Sequence, residues 1–112
     1  MSIDDTNVVD VIGVESSTGR VLLAISDHLD WSAEQEHLAL LQTKINTYLK
    51  FIDSRQIETS FPAAKGRTVV IEIHSLWPPT EHAVAFLERA SAKLKELGID
   101  LRMRSPDQSD LE

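Results

Sequence analysis

With 112 residues, 42% of them hydrophobic, and a formal net charge of −7, the chain has the material for one packed core and a solvated acidic surface. It contains no cysteine, which excludes disulfides, thiolate catalysis and cysteine-based zinc sites. The acidic balance argues against nucleic-acid binding, which needs a surplus of Lys and Arg facing phosphates, and leaves a basic partner open.

The start, Met1-Ser2-Ile3-Asp4-Asp5, lacks the basic and apolar stretches of a signal peptide. The longest apolar run, Val21 to Ile25, is far short of a membrane span. A cytoplasmic protein without membrane association is therefore expected, with a single domain over residues 1–104 and an acidic tail over 105–112.

Residues 7–15 are rich in Val and Ile and read as a strand. Ser16-Ser17-Thr18-Gly19 is turn chemistry, and residues 20–26 form a second apolar strand, so the pair predicts an antiparallel hairpin. Ser32 with Gln35 has capping-box spacing. Leu38, Leu41, Ile45, Tyr48, Leu49 and Ile52 then repeat at helical spacing, which predicts a helix over 32–54. Residues 53–67 contain Pro62 and Gly66 and no sustained period; they read as a connection with a short extended piece over 57–61. Residues 68–75 alternate as a strand. After Pro78-Pro79, Thr80 is placed to cap a helix that carries Ala83, Phe86, Leu87, Ala90, Leu94 and Leu97 and stops at Gly98. Ile99, Leu101 and Met103 alternate with Asp100, Arg102 and Arg104 in a last strand with one wet face.

The order ββαβαβ predicts an α/β fold of the α+β two-layer type: one mixed four-stranded sheet with two helices on one face. Strands two, three and four should run parallel, with strand one antiparallel at an edge. Ligands of open α/β sheets gather beyond the carboxyl ends of parallel strands. The loops there hold Asp27, His28 and Trp31 on one side and His74 and Trp77 on the other, the candidate ligand-binding residues. The nearby acids favour a cationic or metal-bound ligand over a phosphate. No glycine-rich phosphate loop, nucleophile elbow or His-x3-His pair is present, so no metal site, cofactor or catalytic residue is assigned.

On the first helix, Lys44 is expected to lay its stem on the core and keep its ammonium wet, and Tyr48 to bury its ring with the hydroxyl at the border. Asn46 should lie off the apolar stripe. Trp31, His37-Leu38, Leu41, Lys44-x-Asn46-x-Tyr48 and Phe51-Ile52, with the Pro62…Gly66 turn and the Pro79-Thr80-Glu81 helix entry, resemble a family of short bacterial proteins classed as a domain of unknown function. The resemblance runs from residue 8 to about 104. It implies a bacterial domain and no particular chemistry.

The functional expectation is a non-enzymatic interaction module, homodimeric through the helix-free face of the sheet. Ile12, Val14, Leu22 and Val70 are the candidate interface residues. Small size and acidity also suit an inhibitor or immunity-type protein facing a basic partner. The alternative is a small-ligand or metal-dependent enzyme working at the rim after strands two and three.

Overall fold

Gly19, at φ 74°, closes the turn between β1 (Val11–Val14) and β2 (Val21–Asp27). A side chain at that φ would be strained, and its Cβ would come within 3.3 Å of the Arg67 guanidinium. Residues 3–105 are described by the structure, a computed structural model. The remaining elements are α1 (Glu34–Asp53), α2 (Gln56–Ser60), a 3-10 turn (Pro62–Ala64), β3 (Val69–Ser75), α3 (Glu81–Glu96) and β4 (Ile99–Arg104). The expected acidic tail lies, beyond Ser105, outside the described residues.

The sheet has the order β1-β2-β3-β4, with β1 antiparallel to β2 and the other pairs parallel. Odd-numbered residues of the parallel strands face both long helices. Leu23, Ile25, Ile71, Ile73 and Ile99 join Leu41, Ile45, Tyr48 and Leu94 in one buried cluster. This is the expected α+β architecture, an open sheet with its two long helices on one side.

Three local expectations need correction. Ser32 does not cap α1: its hydroxyl donates to Asp30 Oδ1 at 2.7 Å, and Ala33 stands at the helix entry with no side-chain cap. The stretch expected as extended over 57–61 is instead largely the short helix α2. Arg55 turns the chain at φ 63°, and Ile57 and Ala64 reach the core. So short a helix shows no period in sequence; buried Ile57 anchors it, and buried Ala64 anchors the 3-10 turn that follows.

The third correction is the phase of β1. Ile12 pairs with Leu23 and Val14 with Val21, so both stand on the helix-bearing side, where Ile12 packs against the core. Leu22 and Val70 do face the helix-free side. A one-residue slip in strand phase exchanges the two faces, and β1, hydrophobic at both phases, carries no alternation to prevent the misreading.

By contrast, Thr80 Oγ1 accepts from Ala83 N–H at 3.1 Å, and Gly98 follows α3 at φ 77°, both as expected.

Candidate functional site

Parallel pairing places the loops after β2 and β3 at one end of the sheet. Ser26, His74 and Arg104 are in register across β2, β3 and β4 on the helix-free side. With Asp27, His28, Ser75 and Ser105 they line a shallow depression of about 540 Å³. The rim therefore brings Asp27, His28 and His74 together. It does not gather the two tryptophans: neither lines the depression. Trp77 is half exposed, its carbonyl accepting from Ser75 Oγ at 2.6 Å. Trp31 lies flat on His37, ring centroids 3.7 Å apart, with its Nε1 buried and lacking a hydrogen-bond partner among the described residues.

Asp27 offers no carboxylate to the depression. Its Oδ1 accepts from Leu29 N–H at 3.1 Å, and its Oδ2 lies 2.6 Å from His37 Nε2, both side chains sealed from solvent. His37 Nδ1 donates to Asp30 O at 3.0 Å. A carbonyl only accepts, so that nitrogen carries its proton, and the Asp27–His37 contact holds one further proton between two acceptor atoms. The pair ties β2, the following loop and α1 together beneath the Trp31 ring.

His74 is different. Its side chain is half exposed, and its Nε2 is held by Glu72, which is buried. Arg102 Nε donates to the other Glu72 oxygen at 2.5 Å. Burial pushes the Glu72 carboxyl up, but the bonds from His74 and Arg102 outweigh it and hold the group below the usual range. The depression thus faces His28, a Glu72-oriented His74 and the exposed Arg104. Its solvent-facing groups are basic, which reverses the cationic-ligand expectation: the arrangement suits a small anion by hydrogen bonding to imidazole and guanidinium. Arg104 lies 30 residues beyond His74 in sequence, and only the β3–β4 register brings them together. Among the described residues, no three His, Asp or Glu are grouped as metal ligands.

Two side chains central to the structure lie elsewhere. Lys44 is fully buried, contrary to the expected wet ammonium. Its three donors go to Asp5 O at 2.7 Å, Val8 O at 2.6 Å and Asp10 Oδ1 at 2.8 Å. An ammonium has three N–H groups, so all are used. Asp10 Oδ2 accepts from Ser26 N–H, while Tyr48 Oη accepts from Asp10 N–H and donates to Ala24 O. Burial pushes the Tyr48 phenol well above its ordinary range. Side chains of α1 and Asp10 thereby continue the β1–β2 ladder where β1 has not yet begun. The signal was present in the spacing: His37, Leu41, Lys44 and Tyr48 recur at intervals of four, three and four, a complete helical stripe.

Helices on both faces of a parallel sheet open a crevice where strand order reverses. Here both long helices lie on one face and the order runs without reversal, so the rim stays shallow. Fold and rim together define a small α+β domain with an open, mixed four-stranded sheet. The chain belongs to DUF6572, a family of unknown function, whose match covers residues 1–107. None of the curated proteins and none of the solved structures matches the chain. Among the described residues no helix is long and apolar enough to cross a membrane.

Proposed function

We propose that the chain is a non-enzymatic interaction module of the bacterial cytoplasm that works as a homodimer. The observation that carries this reading is a groove of about 370 Å³ beside the edge strand β4, where Leu101 and Met103 meet Val84 and Leu87 of α3 between the polar Glu88, Ser91 and Arg102. Apolar side chains that are exposed, as Val84 is, or only partly buried, beside an edge strand, are what a protein partner covers.

The helix-free face is the poorer surface. Arg20 reaches Asp100 at 2.5 Å, and Arg102 reaches Glu15. Both pairs link β4 to the β1–β2 hairpin and so cross β3, and Val70 beneath them has no exposed surface. Leu22 and Val70 are thus roofed by charge, and Ile12 and Val14 face the other way. Ile12→Glu would test the core rather than an interface.

Light scattering at micromolar concentration checks the reading. The expected mass is twice 12.5 kDa; a monomer mass at every concentration overturns it.

The basic rim favours a second reading, a site for a small anionic ligand at His28, His74 and Arg104. Binding of inorganic phosphate, followed through the imidazole NMR signals of His28 and His74 and lost in Arg104→Ala, would support it. Unmoved signals would remove it.

A further inference from the structure

We propose that two copies of the chain join edge to edge through β4, antiparallel, with Leu101 of one copy directly opposite Leu101 of the other, giving a continuous eight-stranded sheet. This rests on the reading of the chain as a self-associating module and adds the surface, the geometry and the register.

The first observation is the strand itself. Among the described residues β4 pairs with β3 on one side only, and along its six residues the other side has backbone donors and acceptors without a strand partner among them. β1, the other edge, is four residues long. A two-fold axis perpendicular to the sheet pairs two β4 edges and keeps both helix layers on one side. Leu101 and Met103 then remain on the helix side of both copies, beside Val84 and Leu87.

The second observation is charge. On the opposite side β4 carries Asp100, Arg102 and Arg104. With Leu101 opposite Leu101, each Asp100 faces an Arg102 of the other copy, and Ile99 faces Met103. Shifting the centre of symmetry to Asp100 sets two carboxylates against each other. Shifting it to Arg102 does the same with two guanidinium groups, although each Asp100 then faces an Arg104, and shifting it to Met103 sets Arg102 against Arg104 twice. Like charges directly opposite are destabilising, so of these four registers the one centred on Leu101 alone sets opposite charges together with no like pair. Asp100 already pairs with Arg20, and Arg102 with both Glu15 and Glu72, but their side chains are 56% and 38% exposed and retain room for one more partner.

The absence of cysteine supplies a direct test. Directly opposite residues of an antiparallel pair have Cα atoms about 4.5–5.5 Å apart, within disulfide reach. Leu101→Cys should therefore oxidise to a covalent dimer. Met103→Cys should not, since the two Met103 positions would be offset by four residues, about 13 Å. Asp100→Arg, which sets Arg against Arg102 of the other copy, should raise the dimer dissociation constant by about tenfold or more. A dimer by light scattering in which Leu101→Cys fails to cross-link, or Met103→Cys cross-links as readily, overturns this geometry and leaves self-association standing. A monomer at all concentrations overturns both.

Discussion

Lys44–Asp10 and Arg20–Asp100 are the same kind of ion pair, a basic side chain on an aspartate, at 2.8 and 2.5 Å. The first is sealed, its side chains 0% and 1% exposed; the second lies on the helix-free face at 28% and 56%. Distance does not distinguish them, but surroundings do. A charge removed from water must recover its hydration from the protein, and Lys44 does so with two carbonyls as well as the carboxylate. Arg20 and Asp100 both stay in contact with water, Asp100 over more than half of its side chain, and interact weakly through it. The sealed pair therefore behaves as part of the core, and the exposed pair as a cover over Val70 that water and salt can loosen.

The largest effect is expected at the sealed pair. Lys44→Met keeps the stem and deletes the ammonium, leaving a buried carboxylate and two carbonyls without their donor. Stability should fall by about 3–5 kcal/mol in urea unfolding, and Asp10→Asn in the same chain should recover part of it. A loss below about 0.5 kcal/mol, the range of ordinary surface changes, would show that the two pairs do not differ as described.

The network over the free face should respond to acid. The hydrogen bond from Thr18, then that from Arg102, hold the Glu15 carboxyl down from its usual 4.5 to about 2. A carboxyl lowered in the folded state contributes stability that is complete above its unfolded value and is lost as pH falls through the folded one. The melting temperature should therefore be insensitive to Glu15 above about pH 5 and fall from there toward pH 2. In Arg102→Gln the Glu15 titration, read by carbon NMR, should move upward from about 2 but stay below 4.5, because Thr18 remains. A wild-type midpoint near 4.5 would mean that the charged cover does not form in solution.

The smallest effect belongs to the exposed pair. Arg20→Ala should cost at most about 1 kcal/mol, and the difference from wild type should shrink further in high salt. A loss as large as that of Lys44→Met would erase the distinction between the pairs.

Most of the architecture was legible in the sequence. Strand alternation in residues 68–75 and 99–104, the Thr80 cap and the Gly98 stop all reflect forces acting within a few residues. What the sequence hid depends on distant partners. Lys44 was read by its ordinary preference for water, although its place on the 37–41–44–48 stripe points inward; only the carbonyls of Asp5 and Val8 and the Asp10 carboxylate, 39, 36 and 34 residues away, make burial tolerable. His37 was one histidine among four until the fold set it against Asp27. Arg104 became a rim residue through strand register alone. The phase of β1 was misread because Val11, Ile12 and Val14 suit either face, and neighbours rather than pattern decide.

The fastening of the N-terminal segment to α1 has a consequence for local opening. Lys44 and Thr47 hold the carbonyls of Asp5, Thr6 and Val8, and Ile3 N–H, bonded to Ser26 O at 2.8 Å, is buried below them. End segments usually open on their own, at little free-energy cost, and their amides exchange with deuterium quickly. Here the segment cannot lift without stripping a buried ammonium of its acceptors. Ile3 should therefore exchange as slowly as the amides of β2, in one cooperative unit with the centre of α1, although it stands third in the chain.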